Sequence, residues 1–319
     1  MKVGSLFTGI GGLDQAVESV FGAATAWQVE IDPFCQEVLR ARYPKATLVA
    51  DVREADPSGL QDVDVLCSSS PCQDLSVAGK NAGLRGKRSA LFFETLRFVK
   101  AKRPRLVFFE NVPHLYKYRD EIDVMFFDLG YGIAWQKLQA RDAGYPHRRS
   151  RIFALAMRGA KGSTFVPRPK PGPELFRTAA TPANGKVWPT PTAGFFNQNP
   201  EVYRARFAKH KARGFHCGKP LNIALIERFA GEVGSKLINP DWVETLMGYR
   251  VGWSDPDRPL GDHVVPAGPE DERDPSEPPY LAKPTPIFAK RMKALGNSVV
   301  APQAALALSW LHARLKHGI

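Results

Sequence analysis

Cysteine, acid and long apolar runs are all scarce in this chain. Its four cysteines (Cys35, Cys67, Cys72, Cys217) make no CxxC pair and keep no metal-type spacing with histidine, which argues against a disulfide scaffold and leaves no metal site to expect. The expected state is therefore reduced thiol, one of which could serve as a thiolate nucleophile. No apolar run is long enough to span a bilayer, and Met1-Lys2-Val3-Gly4 begins no signal-peptide pattern, so a cytoplasmic location and no membrane partner are expected. Acids number 32 against 44 lysines and arginines, a formal charge of +12 over 319 residues. Such an excess favours a polyanionic partner, most commonly nucleic acid. It is unevenly spread: Lys80 to Arg105 holds nine cations and one acid, Glu94, while Arg204 to Lys219 holds six and none.

Up to about residue 158, short apolar runs alternate with helical patterns, as in a doubly wound parallel sheet. Strands are expected at Val3–Phe7, Thr25–Val29, Leu48–Ala50, Val63–Cys67, Leu106–Phe109, Ile133–Leu138 and Ile152–Met157, the last two bringing an antiparallel element. Helices are expected at Leu13–Val20, Pro33–Tyr43, Ala90–Lys102, Glu121–Leu129 and Ala301–Leu315, the last packing back on the first domain. Composition changes near Gly159: seven of the 27 prolines precede it and twenty follow. Val166 to Pro173 reads as an extended arm, and the stretch to about Leu237 as a small loop-rich body. Pro266 to Pro279, with Glu270, Asp271, Glu272, Asp274 and Glu277, reads as an exposed acidic loop.

Two features carry chemistry. Phe7-Thr8-Gly9-Ile10-Gly11-Gly12 joins the first strand to its helix, where glycines let backbone approach a ligand. Glu30 follows the second strand and could accept ribose hydroxyls; Asp51 follows the third and could accept an adenine amino group. Alone this suits a structural turn or a nicotinamide site equally well. The second feature pairs Cys72, in Ser70-Pro71-Cys72-Gln73, with Glu110 in Glu110-Asn111-Val112, at the end of an apolar strand. A thiolate can add to an electron-poor ring carbon if an acid protonates the ring as it attacks.

Ser70 to Gly79 closely resembles the catalytic loop of the DNA (cytosine-5)-methyltransferases, and Glu110-Asn111-Val112 resembles that family's Glu-Asn-Val motif. Phe7, Gly9, Gly11, Gly12, Glu30 and Asp51 match its S-adenosylmethionine positions, with Ile10, Ile31, Val52 and Pro71 alongside. Leu295-Gly296-Asn297-Ser298 resembles the late Gly-Asn-Ser motif, so Asn297 is expected at the same pocket. Asp142 to Arg151 resembles the segment whose two arginines fall on Arg149 and Arg151; His147 stands where glutamine is usual.

The resemblance implies an α/β fold: a Rossmann-like S-adenosylmethionine-dependent methyltransferase sheet (1–158 plus 285–319) with a small, loop-rich target recognition domain (159–284). It implies that Cys72 attacks C6 of a cytosine flipped from duplex DNA while Glu110 protonates N3, which requires a carboxyl kept protonated by burial or by the anionic substrate. Arg151, more than Arg149, is expected at cytosine O2, and Asn111 is expected to order the Cys72 loop. Gly79, Gly83 and Gly86 mark a mobile loop in which Ser76 and Arg88 match DNA-touching positions and Lys80 and Lys87 could clamp phosphates. Arg204, Arg206, Lys209, Lys211 and Arg213 supply further candidate DNA contacts. Double-stranded DNA, a monomeric state, nucleoid association, S-adenosylhomocysteine as product and a cognate restriction endonuclease complete the implied picture. Two alternatives stay open: cytosine-5 methylation of RNA such as tRNA, and a non-catalytic DNA-binding protein on the same scaffold. The better-known RNA class carries Thr-Cys where this chain has Glu110-Asn111, and the filled catalytic positions disfavour the second.

Overall fold

A computed structural model describes residues 1–71, 91–167, 187–193, 204–205, 208–209, 220–229, 237–269 and 276–317. Within them one sheet holds eight strands: β1 (Lys2–Leu6), β2 (Ala24–Val29), β3 (Thr47–Val49), β4 (Val65–Ser68), β5 (Leu106–Asn111), β6 (Tyr131–Leu138), β7 (Arg151–Arg158) and β8 (Ser163–Phe165). Their order is β3-β2-β1-β4-β5-β7-β6-β8. The first five run parallel, β7 is antiparallel to both β5 and β6, and β8 is parallel to β6. A short ribbon pairs β9 (Leu237–Ile238) with β10 (Leu281–Ala282). The helices described are α1 (Gly12–Phe21), α2 (Pro33–Arg42), α3 (Leu91–Lys102), α4 (Arg119–Asp128), α5 (Leu221–Arg228), α6 (Pro240–Leu246), α7 (Phe288–Asn297) and α8 (Ala301–Lys316). The expected strands and helices are present with ends shifted by a residue or two, and β8 is an additional edge strand.

The chain forms two compact units, Met1–Ala143 with Ser150–Glu174 and Val299–Ile319, and Gly144–Arg149 with Leu175–Ser298. In the first, β4 and β5 are buried at every residue, because helices cover both faces of a parallel sheet. Gly4 makes room for a fully buried tryptophan: a Cβ there would sit 2.1 Å from the Trp27 ring, and the β1–β2 register shifts at that point. Trp27 also donates its ring N–H to the Gln61 carbonyl at 2.8 Å, satisfying its one polar atom. Helix α2 starts where Asp32 accepts the N–H groups of Phe34 and Cys35, with Pro33 already holding a helical φ. Helix α8 begins beside the C-terminal end of β6, where Gln303 donates to the Leu138 carbonyl at 3.0 Å, and packs along α1, β6 and β7.

The second unit is built on a buried ion network and an aromatic cluster. Arg291 of α7 donates to Asp241 (2.6 Å), Glu244 (2.7 Å) and Ser254 (3.0 Å). Glu244, fully buried, also accepts the Gly252 and Ser254 N–H groups. Trp188, Trp242 and Tyr280 meet mostly edge to face, with centroids 4.8–5.6 Å apart. Glu277 corrects the reading of Pro266–Pro279 as an exposed acidic loop. It is buried, accepting the Trp242 indole N–H (2.5 Å) and the Ala267 N–H (3.3 Å). A buried indole needs an acceptor, and this acid supplies it. Residues 270–275 of that stretch lie outside the described residues.

Candidate active site

The loop after β1 is held in a conformation few residues adopt. Phe7, Gly9 and Gly11 have φ of 54°, 60° and 87°, in the left-handed region where glycine is unstrained and phenylalanine is not. A Cβ at Gly9 would meet nothing within 4 Å, so this face of the loop is open to a ligand. Glu30 fastens the loop from β2. Its carboxylate accepts the Gly9 N–H at 2.7 Å with one oxygen and the Asp32 N–H at 2.8 Å with the other. Burial pushes this carboxyl up from its ordinary range, against the pull of those two donors. Each oxygen keeps acceptor capacity, the arrangement vicinal hydroxyls require. Ile31, the next residue, is an apolar side chain left 62% exposed. Asp51, after β3, is engaged by the guanidinium and N–H of Arg53, which hold its carboxyl below the usual range. Val52 belongs to the core and Ile10 is buried. The open cradle, the doubly bonded Glu30 and the exposed Ile31 fit a nucleoside cofactor.

The second constellation lies at the tip of β5. Glu110 is 8% exposed, and its Oε1 meets Arg151 Nε, on the first residue of β7, at 2.8 Å. The antiparallel pairing of β5 with β7 opposes Glu110 to Phe153, and this register delivers Arg151 to the carboxylate. Asn111 donates to the Ser70 carbonyl at 3.0 Å and accepts the Val112 N–H at 2.9 Å. The chain that leaves β4 is thus tied to the end of β5 two residues before Cys72. Pro71 is exposed, and Cys72, Ser76, Lys80, Lys87 and Arg88 lie outside the described residues.

The two arginines of the Asp142–Arg151 segment have different surroundings. Arg149 is buried in the second unit at φ 20°, and its guanidinium donates to the carbonyls of Pro191 (2.9 Å), Gly296 (3.0 Å) and Ser298 (2.5 Å). Gly296 is required there, because a Cβ would lie 2.2 Å from the Ala193 nitrogen. Arg149 therefore ties the 190–193 segment to the end of α7, a part in unit architecture that the motif did not suggest. His147 is likewise buried, with Nε2 donating to the Leu246 carbonyl at 2.7 Å. Asn297 is the last residue of α7. Of the expected DNA contacts in 204–213, Arg204 and Lys209 are described and exposed, Arg204 lying 3.9 Å from Glu227; Arg206, Lys211 and Arg213 lie outside the described residues.

A doubly wound sheet with a glycine loop after β1, bonded to an acid after β2, defines a Rossmann-like nucleotide-binding fold. Residues 1–189 match the family model for C-5 cytosine-specific DNA methylase, and the chain belongs to that family. The Type II methyltransferase M.Bsp6I of Bacillus sp. (strain RFL6) is 33% identical over 180 residues, 54% of this chain and 57% of that protein. The Type II methyltransferase M.HhaI of Haemophilus parahaemolyticus is 32% identical over 171 residues, 52% of each. The chain thus spans about half the length of the curated relatives it matches. Among solved structures, the Entamoeba histolytica methyltransferase EhMeth superposes with a TM-score of 0.62 at 14% identity, covering 98% of both chains. A Spodoptera frugiperda DNMT2 mutant superposes at 0.60 with 15% identity, covering 98% and 99%. These two share the fold.

Proposed function

We propose that the chain is a site-specific DNA (cytosine-5)-methyltransferase, with residues 1–158 and 285–319 as its catalytic part and 159–284 as its reader of sequence. The observation that carries this reading is the Glu110–Arg151 pair at the β5 tip, with Asn111 bonded to the Ser70 carbonyl beside it. S-adenosylmethionine, when bound, supplies a methyl group on a cationic sulfur. Glu30, with the Gly9 N–H fixed against it, holds the ribose, and Ile31 offers an apolar surface to the adenine. The thiolate of Cys72 bonds to C6 of the flipped cytosine as Glu110 gives a proton to N3. C5 thereby becomes electron-rich and takes the methyl group. Loss of the C5 proton to water and breakage of the C6–S bond return the Cys72 thiolate, N3 gives its proton back to Glu110, and 5-methylcytosine is left. Arg151 keeps Glu110 aimed and presents its remaining N–H groups to the pyrimidine, while Asn111 sets the start of the Cys72 loop.

The kinship to Type II methyltransferases supports duplex DNA as substrate and a restriction endonuclease as functional partner. The purified chain, labelled S-adenosylmethionine, duplex DNA and tRNA supply the test. Label in duplex DNA as 5-methylcytosine, abolished in Cys72→Ala, is the expected result. Label in tRNA alone would move the substrate to RNA, and no label in either would leave a binding protein.

A further inference from the structure

Opposite the candidate site, the sheet ends in a concentration of positive charge. Arg103 and Arg105 precede β5, Arg158 closes β7, Lys161 lies in the turn to β8, and Arg314 and Lys316 occupy the last turn of α8; all six are exposed. Backbone contacts bring the loops together. The Arg158 N–H donates to the Arg105 carbonyl at 3.0 Å, and its guanidinium to the Arg103 carbonyl at 2.7 Å. Helix α8 starts at the C-terminal end of β6 and runs about 24 Å over its 16 residues, so its last turn reaches the other edge of the sheet. There His312 feels both Lys316 and Arg105, which, after burial itself, push its imidazole down from its ordinary range.

Among the described residues none of the six cations makes an ion pair. The acids near this edge have other partners: Glu18 accepts from Thr25, Asp64 from the Lys2 N–H, and Asp62 pairs with Lys102. Asp128, at the end of α4, remains exposed. Cations on a last helical turn are favoured by the helix dipole, which accounts for Arg314 and Lys316 alone. It does not account for four more on three neighbouring loops and strand ends. Five residue steps along the strand take Arg105 to Glu110, roughly 17 Å, so this face is distinct from the site.

We propose that this edge is a second phosphate-binding face, which holds a segment of duplex DNA other than the one presented to Glu110. The proposal rests on the DNA reading above and extends it: guanidinium groups anchored on carbonyls, with no acid to displace, match a row of backbone phosphates. A chain with two such faces holds two DNA segments at once, which favours transfer between them.

The test uses Arg105→Gln/Arg314→Gln/Lys316→Gln, three exposed side chains that make no ion pair among the described residues, against Arg40→Gln/Arg42→Gln/Lys45→Gln, which removes equal charge around the end of α2, beside the outermost strand β3. The probe is a short labelled duplex of dA and dT only, with no cytosine to flip, followed by sedimentation and by affinity against salt. Wild type and control are expected to bind two duplexes per chain. The edge variant is expected to bind one, with a slope of log affinity against log salt smaller by about 2–3, at about 0.9 per phosphate contact. Equal stoichiometry and slope in the edge and control variants would overturn the proposal, as would a preference of this face for an acidic polypeptide over duplex. A wild type that binds no duplex would overturn the DNA reading itself and this face with it.

Discussion

Asp14 is a buried charge that the proposed chemistry does not consume. It lies in the first turn of α1, fully buried, accepting from Ser5 of β1 at 2.8 Å and from Gln28 of β2 at 3.0 Å. Burial pushes its carboxyl up to about 6, with Glu18 adding to the rise and the two donors opposing it. An unfolded aspartate titrates near 3.9, so the folded chain holds this proton more tightly by about 2 units, or about 3 kcal/mol at 1.36 kcal/mol per unit. Stability from the bound proton is present in full below the unfolded value and is lost as pH rises through about 6. An asparagine in its place has no proton to lose and so no such dependence. In Asp14→Asn the amide oxygen can still take the Gln28 N–H while its NH₂ donates to the Ser5 hydroxyl, so the packing is retained. The variant should therefore gain on the wild type as pH rises, by roughly 1.4 kcal/mol between pH 5 and pH 8. Urea unfolding of both proteins across that range measures the difference. A flat difference, or one that moves against the variant with rising pH, would refute the reasoning.

Other expectations follow from single contacts. Glu110→Gln keeps the shape of the β5 tip but cannot supply the proton; methyl transfer should fall about 10²-fold or more, the usual share of general acid catalysis, with cofactor affinity unchanged. Glu30→Ala removes the acceptor of the Gly9 N–H and of the ribose, and should weaken S-adenosylmethionine binding in calorimetry by about tenfold or more. Arg291→Met strands the buried Glu244 without its cation, leaves Asp241 with Arg258 alone, and should cost about 3–5 kcal/mol in thermal or urea unfolding. Gly4→Val drives a side chain into the Trp27 ring and should destabilise by about 1–3 kcal/mol, read as a lower unfolding midpoint.

The parallel half of the sheet is legible in the sequence because β1, β2, β4 and β5 are apolar runs whose burial needs only local sequence to anticipate. Strand β8 is not: Ser163–Phe165 is too short to carry a period, and its partner β6 lies well back in the chain. At the site, Glu110, Arg151, Glu30 and the glycine loop are readable from motif and strand ends, and the structure brings them into two hydrogen-bonded constellations. The role of Arg149 is hidden because its acceptors at 191, 296 and 298 are distant in sequence. Asp14 carries no signal either, because an acid in a first helical turn ordinarily faces solvent and the helix dipole. Only the packing of α1 on β1 and β2 buries it. Glu277 misleads for the opposite reason: among four neighbouring acids it looks solvated, and the Trp242 indole claims it.

The central claim is that Cys72 attacks C6 of a cytosine ring while Glu110 protonates N3. Its most direct measurement is the mass of a covalent complex between the chain and a duplex carrying 5-fluorocytosine, whose C5–F bond blocks the release step, in the presence of S-adenosylmethionine. The account predicts a stable adduct of chain, methyl group and DNA mapped to Cys72, absent in Cys72→Ala. An adduct that persists in Cys72→Ala, or no adduct from a chain that converts cytosine of an ordinary duplex to 5-methylcytosine, would contradict it.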